Sequence, residues 1–225
     1  MNLTDRLYAS AKEIWEGYHK HPFVTGIGDG TLPIEKFRYF MLQDYVYLYE
    51  YAKVFALGVL KSKSHALMRT FSAMTDSTLN GEMKTHQEYM ARLGITEDEV
   101  AHCRPSLVNS SYTNYMLAVG YGGDVLDILV AVLSCAWSYQ RIGEHLAKVP
   151  GAVDHPFYGQ WIRSYISDEY AAIVKENIDL VNAYGQNISE ERYLQLEDIF
   201  IRCSRYEGQF WEMSWTMAEW SAKNA

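Results

Sequence analysis

Cysteine is scarce in this chain. Its three thiols, Cys103, Cys135 and Cys203, are odd in number and widely spaced. No disulfide framework or zinc-type spacing runs through them, a pattern that fits a reducing cytoplasm. Positive charge is also short: 20 Lys and Arg stand against 28 Asp and Glu, a net charge of −8. Without a basic stripe to neutralise phosphates, nucleic acid is excluded as a partner. No uncharged apolar run reaches the roughly 20 residues that cross a bilayer. The first twenty residues, MNLTDRLYASAKEIWEGYHK, carry no signal-peptide apolar core. The expectation is a cytoplasmic protein with no membrane partner. The glycine-rich turn Gly26–Gly30 lacks the Lys-Ser/Thr of a phosphate loop. There is no G-x-S-x-G element, no β-alternation and no internal repeat.

What is present is apolar, aromatic and helical in period. Hydrophobic residues make up 48% of the chain, and 18 residues are tyrosine, a flat apolar body with a polar tip. That excess suits planar polar ligands and oligomer interfaces alike. Amphipathic runs are read at Thr4–His19, from Pro33 to about Leu60, from Ser64 to Leu93 with a weak point at Gly81, and from Pro156 to Tyr184 with a bend near Ser167. Thr96 and Glu99 form a capping box for a short helix. Asn109-Ser110-Ser111 caps another, and Ser189 starts a last long helix running to about Trp220. The reading is an all-α bundle of about seven or eight helices in a single domain, residues 1–225.

The stretch Asp124–Gly143 reads as one helix, apolar almost all round between Ile128 and Ala136, and so as a central element. It carries Cys135 and, four residues on, Tyr139, which share a face. That face is either packed core, the commoner setting for a free thiol, or a pocket wall holding a nucleophile. Asp44 lies among Phe40, Met41, Leu42, Tyr45 and Val46, with Tyr47 on its face. A carboxylate buried there needs a partner such as Arg69 or Arg141, or a function. Glu207 precedes Phe210 and Trp211 by three and four residues; it is either an exposed glutamate or a buried acid. Glu16–His19, Glu99–His102 and Glu82–His86 have metal-ligand spacing, but their polar surroundings point to surface or capping roles, so no metal is expected.

Six stretches in order carry a resemblance: HPF at 21–23, QDYVYL at 43–48, Tyr112 ahead of GYGG, SCAWSY at 134–139, HPFYGQWIRSY at 155–165 and EGQFW at 207–211. Together they resemble the thiaminase II (TenA) family, in its cysteine-dependent branch. The resemblance implies a haem-oxygenase-like helical fold without haem, no cofactor, and a homotetramer. It implies hydrolysis of 4-amino-5-aminomethyl-2-methylpyrimidine to the hydroxymethyl compound and ammonia in thiamin salvage, with thiamin as a related substrate. It makes Cys135 the nucleophile, Glu207 the proton donor, and Tyr47 the hydroxyl that favours the thiolate. It assigns Asp44, Tyr139, Tyr165, Tyr112 and Phe210 to substrate binding. The alternative is a non-catalytic pyrimidine- or thiamin-binding or regulatory protein of the same fold.

Overall fold

A computed structural model describes residues 1–218. All regular structure among them is helical: α1 (Leu3–Tyr18), α2 (Pro22–Asp29), α3 (Ile34–Lys61), α4 (His65–Asp76), a π-helical turn (Ser77–Glu82), α5 (Met83–Arg92), α6 (Glu97–His102), α7 (Leu107–Gly122), α8 (Val125–Leu146), a 3-10 turn (Ala152–Asp154), α9 (Gly159–Tyr165), α10 (Asp168–Tyr184) and α11 (Glu190–Thr216). Eight of these α-helices run ten residues or more, namely α1, α3, α4, α5, α7, α8, α10 and α11. The expected end of the last helix at Trp220 lies outside the described residues.

Two expectations need correction. Gly26 to Asp29 is helix rather than turn. Pro22 suits the first helical position, and His21 Nδ1 accepts the Phe23 N–H at 3.2 Å, so a new helix starts where the first one stops. Gly26 and Gly28 serve close packing there: an added Cβ would meet Leu32 at 3.1 Å and Leu146 at 2.9 Å. Only Gly30, at φ 76°, uses the left-handed region, as the helix cap. Likewise Ser106, not Asn109, caps α7: its hydroxyl accepts the Asn109 N–H at 3.1 Å. Asn109 then lies inside the helix, 1% exposed, and donates to the Gln43 carbonyl at 2.7 Å. Elsewhere local chemistry and structure agree. The Thr96–Glu99 box forms, Gly81 falls in the π-helical turn, and Ser167 divides α9 from α10 by capping the latter.

The described residues form two compact units, Met1–Pro33 with Leu129–Glu212, and Ile34–Ile128 with residues 213–218; the later boundaries fall inside α8 and α11. In the first unit α1 and α9 pack on α10. The buried stripe of α1 is Leu7, Ala11, Trp15 and Tyr18, at helical spacing. In the second unit α3 is the hub, packed by α4, the π-helical turn, α5 and α7. Lys61 at its end donates to the carbonyls of Tyr121 and Gly123 at 2.8 and 2.6 Å, satisfying the last turn of α7. Helix α8 is long and apolar enough to cross a membrane, but 67% of its most apolar window is buried, as a core helix requires.

One feature of the first unit makes stability depend on acid. The His19 and His145 rings stack with centroids 4.1 Å apart, and His19 Nε2 is buried with no hydrogen-bond partner. Burial, then the charges of His145 and Arg141, lower the His19 pKa to about 4. The folded value lies below the unfolded one near 6.5, so this stabilisation is present above pH 6.5 and is lost as pH falls through 4. Discounted for partial exposure it amounts to about 1 kcal/mol, or roughly 2–4 °C. His19→Phe is therefore expected to flatten the fall in Tm between pH 6.5 and 4.5. An unchanged slope in thermal melts of the variant would contradict this.

Candidate active site

Within the first unit, α8 is closed from Leu129 to Ser134, where no side chain is more than 1% exposed. Cys135 then opens: it is half-buried, unlike Cys203, which is 0% exposed. A thiol serving only as packing belongs in the closed part of the helix, so the exposure favours the reactive reading. Tyr139, one turn on, sits in an aromatic cluster. Its ring centroid lies 5.0 Å from Tyr165, 5.1 Å from Trp211 and 6.1 Å from Trp161. Tyr165 reaches this position because Gly143 leaves room: a Cβ there would stand 2.9 Å from Tyr165 Cβ. Tyr158, a turn earlier, is occupied elsewhere, its hydroxyl donating to the Leu32 carbonyl at 2.6 Å.

Glu207 is 2% exposed, which rules out the outer-face reading. It lies near a residue the sequence reading missed, Tyr18. Burial pushes the Tyr18 hydroxyl well above the ordinary tyrosine range, and the charges of Glu207, Cys135 and Cys203 push it further. The hydroxyl therefore lies within electrostatic reach of both the thiol and the carboxylate. It donates to the Ser204 carbonyl, and Trp15 Nε1 donates to the Ser204 hydroxyl at 2.9 Å. Gly208, beside Glu207, keeps α11 clear of the Tyr18 ring, which a Cβ would meet at 3.3 Å. Burial, then Glu207, also raises the Cys203 thiol far above the ordinary range, so Cys203 stays protonated. The available signal for Tyr18 was its place on the buried stripe of α1 with a polar tip. Phe210 is 2% exposed, as a wall or core residue requires.

The second unit holds the other predicted residues. Asp44 on α3 is 7% exposed, and its partner is neither Arg69 nor Arg141. His86 Nε2, on α5, meets Asp44 Oδ2 at 2.6 Å. The surface role expected for His86 is thus overturned: it is 6% exposed, on a face shared with Met83, Tyr89 and Met90. Its polar neighbours in sequence hid that face. Tyr47 stacks on Tyr51 at 5.2 Å and lies 5.5 Å from Tyr112, and its hydroxyl is 3.9 Å from Met116 Sδ. Gln43 ties α3 to the start of α7, accepting the Ser106 N–H at 2.9 Å and donating to the Arg104 carbonyl at 3.0 Å. That link holds the rotation of α3 at Asp44. Of the other histidine pairs, Glu99 caps Thr96 and bonds Arg38 at 2.6 Å, while His102 is on the surface.

A family model described as TENA/THI-4/PQQC matches residues 8–217. This chain belongs to that family. It is 44% identical over 221 residues to an aminopyrimidine aminohydrolase of Halalkalibacterium halodurans, covering 98% of this chain and 99% of the relative. It is 46% identical over 215 residues to an aminopyrimidine aminohydrolase of Helicobacter pylori, covering 96% and 99%. The structure of a TenA homologue from P. horikoshii OT3 superposes with a TM-score of 0.89 at 32% identity, covering 96% of this chain and 99% of that one. A domain from Shewanella denitrificans with a haem-oxygenase-like fold gives 0.76 at 14% identity, covering 96% and 93%. The fold is therefore of the haem-oxygenase-like class.

Proposed function

We propose that this chain is an aminopyrimidine aminohydrolase, converting 4-amino-5-aminomethyl-2-methylpyrimidine to the 5-hydroxymethyl compound and ammonia in thiamin salvage, with cleavage of thiamin as a related activity. The observation that carries this reading is the end-to-end match, at 44 and 46% identity, to two relatives named for that activity. The half-buried Cys135 thiol and the buried Glu207 carboxylate, each of which adds to burial in raising the Tyr18 hydroxyl, are groups the reaction needs.

The proposed mechanism is covalent. The Cys135 sulfur adds to a ring carbon, and the displaced electron pair goes to a ring nitrogen, which takes a proton from Glu207. The ring is no longer aromatic, so the 4-amino lone pair can expel the amine from the exocyclic carbon. Water adds at that carbon, giving up a proton to the departing ammonia; the ring nitrogen then returns its proton to Glu207 as the C–S bond breaks, and departure of the thiolate restores the ring. One hard displacement becomes several easier steps. Asp44 holds the 4-amino group and adjacent ring nitrogen, where positive charge develops. Tyr139, Tyr165, Tyr112 and Phe210 bind the ring, and Tyr47 favours the thiolate. The chain works in the cytoplasm as a homotetramer, with one domain spanning residues 1–225 and no cofactor.

The test is ammonia release by the purified protein from the aminomethylpyrimidine and from thiamin. Turnover of neither compound would sink the reading and leave a binding protein. Gly143→Ala probes the aromatic cluster. Its Cβ would crowd Tyr165, including the backbone carbonyl carbon at 3.3 Å, which gives way only if α9 moves. Such overpacking costs about 1–3 kcal/mol. KM for the pyrimidine is expected to rise about tenfold, with a smaller change in kcat. An unchanged KM in a folded variant would remove Tyr165 from the binding set.

A further inference from the structure

We propose that His86 is the positioning residue for Asp44, holding one carboxylate oxygen so that the other is presented to the aminopyrimidine. The inference rests on the function proposed above. His86 Nδ1 lies 3.0 Å from the backbone carbonyl of Glu82, which can only accept, so Nδ1 carries a proton. Nε2 then faces Asp44 Oδ2 at 2.6 Å, a separation that requires one proton between them. Among the described residues that is the only hydrogen bond Asp44 makes. Its Oδ1, on a side chain nine-tenths buried, is left for a ligand. Oδ1 is not among the fully buried polar atoms that lack a partner, so it stays reachable, and a ligand amine can donate to it.

The charged groups facing His86 are Asp44 from α3 and Glu82 from the π-helical turn. Burial alone would lower the His86 pKa; the hydrogen bond and charge of Asp44, with Glu82, raise it instead to about 9. Burial pushes Glu82 itself up to about 7, with the His86 charge opposing and the Asp44 charge adding. Near neutral pH the pair is thus an imidazolium donating to a carboxylate. Above about pH 9 the imidazole loses its Nε2 proton, because Nδ1–H is held by the Glu82 carbonyl. Two lone pairs then face each other, and the carboxylate is released from its position. Substrate binding should therefore fall as pH rises through 9.

The test uses the full chain and the variants His86→Gln and His86→Phe, with circular dichroism to confirm folding. Glutamine can still donate to Asp44 but does not titrate; phenylalanine does neither. Calorimetric affinity for 4-amino-5-hydroxymethyl-2-methylpyrimidine and kcat and KM for the aminomethyl compound are measured from pH 7 to 10. His86→Phe is expected to weaken binding and raise KM about 10- to 100-fold, with less change in kcat. His86→Gln should recover most of that loss and abolish the alkaline fall in affinity. A folded His86→Phe with wild-type affinity, or a His86→Gln that keeps the alkaline fall, would overturn the proposal. The calorimetry reads His86 without turnover, so an inactive wild type that binds the pyrimidine would defeat the proposed activity and not this inference. A wild type that does not bind it defeats both.

Discussion

Cys135→Ser is expected to lower ammonia release from the aminomethylpyrimidine by about 10⁴-fold or more, roughly 5.4 kcal/mol of barrier. A serine hydroxyl at neutral pH has almost no anionic form and is a far weaker nucleophile than a thiolate, so addition to the ring becomes rate-limiting. The substitution barely changes volume, and the site is half-buried on a helix whose packing is carried by Ile128 to Leu133, so Tm should stay within a few degrees. Affinity for the hydroxymethylpyrimidine should persist, because binding depends on other groups. The same turnover in variant and wild type would end the covalent mechanism. A loss of turnover accompanied by loss of binding would move Cys135 from nucleophile to binding residue.

Glu207→Gln is expected to cost about 10²–10⁴-fold in kcat, the range for removing a positioned general acid. The amide keeps the shape of the carboxyl but cannot deliver a proton to the ring nitrogen or the departing amine. Because Glu207 is 2% exposed, the isosteric change tests chemistry rather than packing. A second readout follows from the electrostatics. Glu207 helps raise Tyr18 and Cys203, after burial in both cases. Removing its charge should let both titrate at lower pH, visible for tyrosine as an earlier rise in ultraviolet absorbance on alkaline titration. A variant with full activity would return the proton transfer to water or to another residue. A Tyr18 titration unchanged from wild type would separate Glu207 from Tyr18.

Much of the helical framework was legible because its signals are local. Periodicity and caps marked α3, the break at Ser167 and the capping box at Thr96, since each depends on residues within a turn of one another. Local signals misled where a neighbour competed. Asn109 looks like a cap until Ser106 takes that place, and Gly26 and Gly28 look like a turn until close packing against Leu32 and Leu146 makes glycine useful inside a helix. For the site, the residue types were visible and their environments were not. By composition the glutamate in YEGQFW reads as an exposed outer-face residue, and only packing made it 2% exposed.

The sequence by itself determined an acidic, all-helical chain, the helix face shared by Cys135 and Tyr139, and the anomaly of a carboxylate at Asp44 among apolar residues. Tertiary structure decided that Cys203 is closed while Cys135, like Cys103, is half-buried, since the three thiols differ in accessibility and not in kind. It decided that Asp44 pairs with His86, 42 residues away, and that Tyr18 lies within reach of Cys135 and Glu207. The physical reason is range. Helix period, caps and turns arise from interactions within a few residues, whereas burial, ion pairing and shifted ionisation arise from groups that only packing brings together.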